Sequence, residues 1–101
     1  MITHIVMWQL KEHANGQSKL ENAMRIKAML EGLKDQIDGI IKLEVGINVL
    51  ESDQSYDIVL NSAFVSQETL DAYQVHPEHL IVSNAITDLR EKRIVVDYKN
   101  D

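Results

Sequence analysis

A ferredoxin-like α+β fold of the split βαβ type, with one four-stranded antiparallel sheet and helices on one face, follows from three observations. Four segments alternate with period two, and three carry helical spacing. They run in the order β-α-β-β-α-α-β, the last two helices standing in for one. No repeat, low-complexity tract or linker divides the chain, so residues 1–101 form one domain.

The first strand is Ile2–Leu10, with Ile2, His4, Val6, Trp8 and Leu10 on one face and Thr3, Ile5, Met7 and Gln9 on the other. Lys11 to Gln17, with Asn15-Gly16, reads as a turn-rich loop. Ser18 and Glu21 have capping-box spacing. Leu20, Ala23, Met24, Lys27, Leu30, Leu33, Lys34 and Ile37 then trace an amphipathic helix ending at Asp38-Gly39. Ile40 to Leu50 is the second strand and Tyr56 to Val65 the third, separated by the polar turn formers 51–55. Ser66 caps a helix that puts Leu70 and Tyr73 on one face. Pro77 opens another helix, running to about Glu91, with Leu80, Ile81, Val82, Ala85, Ile86 and Leu89 as its apolar stripe. Arg93 to Lys99 is the last strand, and Asn100-Asp101 should fray.

Composition narrows the function. Sixteen acidic residues against ten basic give a formal charge of −6, which argues against nucleic acid. The one tight basic cluster, Arg90, Lys92 and Arg93, reads as a solvated helix end. There are no cysteines, hence no disulfides or thiolate metal sites, which fits a reducing compartment. No signal peptide or membrane span is expected, and a cytoplasmic location follows as the default.

With the cleaner apolar sides given to the helices, the opposite sheet face carries Ile5, Met7, Ile40, Val59, Ala63 and Val95. Gln9, Lys42, Glu44, Asn48, Asn61 and Asp97 are mixed among them. That is more apolar surface than a solvated face needs, so two such faces are expected to pair in a symmetric homodimer; the alternative is a monomer with a greasy sheet.

The chemistry-bearing stretch is Tyr73-Gln74-Val75-His76-Pro77-Glu78-His79. Tyr73 and His79 lie six positions apart across a helix break and could polarise a carbonyl and take a neighbouring proton. The competing reading is a Tyr–His contact that only locks the helix junction. A helix N-terminus disfavours imidazolium, so the pKa of His79 should fall. His4 points towards the core, as a satisfied core histidine or a third member of the site. His76, held extended by Pro77, suits a cap. His76 and His79 are three apart rather than the four of a helical zinc motif, and no phosphate-cradling glycine pattern or G-x-S-x-G elbow occurs, so neither metal nor cofactor is expected.

The order Ile2-Thr3-His4-Ile5-Val6, Lys42-Leu43-Glu44-Val45-Gly46, Tyr56-Asp57-Ile58-Val59-Leu60, the Y-x-x-H-P-x-H string at 73–79 and Arg93-Ile94-Val95-Val96-Asp97-Tyr98 resembles the stress-responsive dimeric α/β-barrel (Dabb) family over essentially the whole chain. The resemblance implies a protomer whose sheet pairs with a second copy to close a barrel. A plant polyketide cyclase in that family carries out an intramolecular aldol closure, and its catalytic tyrosine and histidine match Tyr73 and His79, with a pocket histidine matching His4. Since the string marks the family generally, it does not single out the cyclases. The family also holds plant stress and antifungal proteins.

Two readings of function follow. One is a small-molecule-binding protein with a Tyr73–His79 acid–base pair supported by His4, acting as a cofactor-free lyase, cyclase or isomerase on a small apolar carbonyl compound. The other is a non-catalytic stress-response or assembly protein whose Tyr/His cluster is structural. A cofactor-free monooxygenase on a similar barrel is the weaker third. An enclosed apolar pocket of roughly 300 Å³ or more beside Tyr73 and His79 would favour the first.

Overall fold

The first period-two segment forms β1 (Ile2–Leu10) and takes a central place in the sheet because both its faces carry apolar residues. In the computed structural model, which describes residues 1–100, β1 lies between β5 (Ile58–Phe64) and β6 (Arg90–Lys99). β4 (Ile40–Ile47) lies outside β5, giving the order β4-β5-β1-β6 with every pair antiparallel. Helices α1 (Lys19–Glu31), α2 (Gln67–Val75) and α3 (Pro77–Leu89) contribute to one core with the sheet. That core joins Val6, Trp8 and Leu10 with Ile58, Leu60 and Phe64 from the sheet, and Ile26, Leu30, Leu70, Tyr73, Val82 and Ile86 from the helices. The ferredoxin-like arrangement expected from periodicity is the one observed.

Capping fixes the helix starts. Ser18 and Glu21 form a reciprocal capping box, and Ser66 with Thr69 forms another. Asn15-Gly16 does more than loop. With φ of 54° and 76° the pair makes the tight turn of a hairpin between β2 (His13–Ala14) and β3 (Gln17–Ser18).

The structure corrects the sequence reading in both helices and sheet. The first helix stops at Glu31 and passes into a 3₁₀ turn over Gly32–Asp35, because the tighter winding after a poor helix former carries Leu33 and Ile37 into the core. Its buried face is Asn22, Ala23, Ile26 and Leu30, leaving Leu20 and Met24 exposed. Asn22 sets this rotation by donating to the Ala14 carbonyl at 3.1 Å, which ties the helix to the hairpin. In α3 only Val82, Ile86 and Leu89 are buried, and Leu80 and Ile81 are exposed, since one helix face alone meets the sheet.

In the sheet the correction concerns which face each residue occupies. A register shift between Ile40 and Lys42 puts Ile40 opposite Phe64, on the helix side. Val95 stands opposite Val6 and Asp97 opposite His4, so both face the helices, and Asn48 lies past the end of β4. Ile94, Val96 and Tyr98 take their place on the free face beside Met7, Ile5 and Thr3. The free face is thus more apolar than expected. The basic cluster begins at the helix end, Arg90 being the C-cap of α3, but runs on into β6. Asn100 does not fray: its amide donates to the Met1 carbonyl at 2.9 Å and its side chain accepts from Thr3 Oγ1 at 2.5 Å. Asp101 lies outside the described residues.

Gly39 closes the turn into β4 with φ of 91°, and a Cβ there would meet Thr69 Cβ at 2.9 Å. Gly39→Ala is therefore expected to cost about 1–3 kcal/mol from the left-handed backbone alone, and more from the clash with α2. Urea denaturation checks it; a loss below about 0.5 kcal/mol would contradict it.

Candidate functional site

Pro77 bars a continuous helix, and His76 before it is extended, with φ of −64° and ψ of 135°. The break turns the chain so that Tyr73, in the last turn of α2, meets His79, in the first turn of α3. Their ring centroids lie 4.3 Å apart. His76 itself is a cap, its Nδ1 accepting from the Glu78 amide at 3.1 Å.

His79 donates from Nδ1 to the Gln74 carbonyl at 3.2 Å. Because a carbonyl only accepts, this bond fixes the tautomer of the neutral ring and leaves Nε2 with its lone pair. Burial, above all, holds the pKa of His79 below its ordinary 6.5, with the positive charge of Arg93 adding to the effect and the Gln74 bond opposing it. Near neutral pH His79 is an uncharged base.

Tyr73 is fully buried, and its hydroxyl has no hydrogen-bond partner among the described residues. Burial pushes its pKa far above the usual 10.0, while Arg93 pulls weakly the other way. The group stays a protonated donor. Leaving a buried hydroxyl unpaired costs about 1–3 kcal/mol. Phe64 packs on the other side, its centroid 4.9 Å from that of Tyr73.

His4 is also buried, with its ring centroid 6.3 Å from Tyr73 and edge-on to it. Its Nδ1 donates to Asp97 Oδ1, so the imidazole is oriented by a carboxylate on the neighbouring strand. Sequence reasoning missed Asp97, placing it on the opposite sheet face. Strand register brings it to His4, and no local motif reports register.

A cavity of about 240 Å³ lies beside these groups. Its apolar wall is Val6, Trp8, Leu30, Leu60 and Ile86; its polar wall is His4, His79, Ser83, Thr87, Arg90 and Arg93. The space is smaller and more polar than the sequence-based criterion asked for, and Tyr73 is not among the residues lining it. His4, Tyr73 and His79 are nonetheless brought together, Tyr73 in ring contact with His79. Ser83 and Thr87 had no motif to mark them, and the two arginines, expected at a solvated helix end, line the cavity instead. Among the described residues, no group of three or more His, Asp or Glu side chains gathers as a metal site, and no helix is long and apolar enough to cross a membrane.

The family model of the stress responsive A/B barrel domain matches residues 2–100. The chain belongs to this family. The stress-response A/B barrel domain-containing protein DABB1 of Arabidopsis thaliana is 28% identical over 105 residues, covering 97% of this chain and 46% of the relative. The chain therefore spans about half the length of that curated relative. A dimeric protein of unknown function with a ferredoxin-like fold from Bacteroides fragilis is 30% identical, with a TM-score of 0.86 over 98% of this chain and 95% of that one. A hydroxynitrile lyase from Passiflora edulis superposes with a TM-score of 0.77 over 96% of this chain and 90% of its own, at 17% identity, a likeness of fold alone. Membership of the A/B barrel family fits the ferredoxin-like sheet, and the Bacteroides fragilis relative is dimeric.

Proposed function

We propose that this A/B barrel domain binds a small carbonyl compound, with Tyr73 as hydrogen-bond donor to the carbonyl oxygen and His79 Nε2 as the base for a proton next to it. His4, oriented by Asp97, supports the pair. The observation that carries this reading is the Tyr73 hydroxyl, buried and without a partner among the described residues, beside a neutral histidine with a free lone pair. A carbonyl oxygen satisfies that hydroxyl and gains electrophilicity from it; removal of the adjacent proton gives an enolate held by the same donor. Lyase, cyclase and isomerase chemistry can all start from that step.

Thermal-shift screening of small aldehydes and ketones against wild type, Tyr73→Phe and His79→Ala tests the reading. The expected outcome is a ligand-induced rise in Tm for wild type that is lost in both variants. Tyr73→Phe should itself be neutral or stabilising by about 1 kcal/mol, since it removes an unsatisfied polar group. If Tyr73→Phe lowers stability while every ligand response persists, the cluster is structural. That second reading, a non-catalytic stress-response or assembly domain, draws support from the cavity, whose 240 Å³ falls below the usual ligand-site range of about 300–1,000 Å³.

The same proposal includes a symmetric homodimer through the free sheet face. Met7, Ile94, Val96 and Tyr98 are exposed there in the single protomer, and burying such a patch is the ordinary drive to association. Sedimentation at micromolar concentration is expected to give twice the 11.5 kDa chain mass. Val96→Lys should return the monomer; a monomeric wild type would overturn the interface.

A further inference from the structure

We infer that the cavity takes an oxo acid, a carbonyl compound bearing a carboxylate that Arg90 and Arg93 hold. The inference rests on the carbonyl-binding reading above and adds the substrate's charge and the spacing of its two functional groups.

The chain carries a net charge of −6, yet Arg90 and Arg93 both line this cavity and, among the described residues, no Asp or Glu side chain does. Neither arginine takes part in an ion pair or side-chain hydrogen bond among the described residues; the ion pairs there involve His4, Lys19 and Lys27. Asp97, a carboxylate on the helix-facing side of β6, is engaged by His4. In regular alternation two residues three apart on a strand face opposite sides of the sheet. Here the register shifts, with Gln9 opposite Lys92 but Leu10 opposite Arg90, so one extra residue of β6 intervenes. The bulge brings Arg90 round to the side that Arg93 already faces, and re-aiming a side chain is what bulges at sheet edges do. Ser83 and Thr87, one turn apart on α3, complete the polar wall.

A guanidinium matches a carboxylate in a planar two-point bond, and two of them without protein counter-ions favour an anion strongly. Arg93 stands opposite Trp8 while Asp97 stands opposite His4. Four residue steps of strand separate these stations, about 13 Å, of which the long arginine side chain spans a part. The carboxylate and the reacting carbonyl are therefore divided by a spacer of a few carbons, as in a γ-oxo acid, rather than adjacent as in an α-oxo acid.

The test is titration of the full chain with 4-oxo-4-phenylbutanoate and with its methyl ester, followed by ¹⁵N and ¹³C NMR. The acid is expected to bind at least tenfold more tightly than the ester. In the R90Q/R93Q variant the acid should weaken to within twofold of the ester measured on the same variant; R90K/R93K should keep part of the preference. Equal affinity of acid and ester for wild type, a preference that survives R90Q/R93Q, or binding of neither probe would overturn the inference. The parent reading fails separately: if the acid binds through the arginines while the Tyr73 and His79 resonances do not move, the anion site stands and the acid–base pair falls.

Discussion

His79→Ala is expected to slow exchange of protons next to a bound ketone with solvent deuterium by about 10²–10⁴-fold. The reaction to follow is deuterium incorporation into the probe by ¹H NMR in D₂O, which needs no knowledge of the natural substrate. Three features of the site set the size of the effect. Nδ1 is committed to the Gln74 carbonyl, so only Nε2 can take the proton. Burial holds the ring neutral at pH 7. Tyr73, kept protonated by its own burial, is the adjacent donor. The pH dependence follows from the sign of the His79 shift. A base must be unprotonated, so exchange should rise with pH through a value below 6.5 and then stay level. An unchanged rate in His79→Ala, or a rate that rises only above pH 7, would rule out His79 as the base.

The same depressed pKa has a consequence for stability. As pH falls below the ordinary 6.5, the unfolded chain binds a proton at this position that the folded chain resists. Stability from this group is therefore fully present above 6.5 and declines as pH falls through the lower folded value. His79→Gln should flatten that part of the stability profile.

Phe64→Ala is expected to destabilise the domain by about 3–5 kcal/mol, a large share of the 5–15 kcal/mol that such domains possess. Phe64 ends β5 and is fully buried. It pairs with Ile2 on one side and Ile40 on the other, joining three strands. Its ring also packs against Tyr73 and lies edge-on to His4 at 6.2 Å, so the cavity left by alanine would open beside the site. Urea denaturation measures the loss, and a cost below about 1.5 kcal/mol would show that the neighbouring rings collapse into the space. Phe64→Leu should retain most of the stability, because volume is largely kept.

The residues that could be read in advance are those whose role is local. Ser18 with Glu21 and Ser66 at its helix start are capping signals that act within three residues. Pro77 sets the helix break through its own ring, and His76 caps the new helix because a residue before proline is extended. Tyr73 and His79 were legible for the same reason, sitting either side of that break. His4 could be placed on the core face by period-two alternation alone.

Asp97, Arg90 and Arg93 were not legible, since each depends on how β6 registers against β1. Alternation names two faces of a strand but does not say which one meets the helices when both are apolar. Near Gln9 and Leu10 the bulge also breaks the alternation itself. The first helix shows the same limit: Leu20 and Met24 fit the apolar spacing, yet Asn22's bond to the Ala14 carbonyl turns Ile26 inward instead.

By itself the sequence determined the order of elements, their caps, the helix break and the placing of Tyr73, His79 and His4 on inward faces, all consequences of covalent geometry and short-range hydrogen bonding. The tertiary structure alone decided that His4 meets Asp97, that the Tyr73 hydroxyl has no partner among the described residues and that two arginines line one cavity. Those facts arise from strand register and side-chain packing between segments far apart in the chain, which no local pattern encodes.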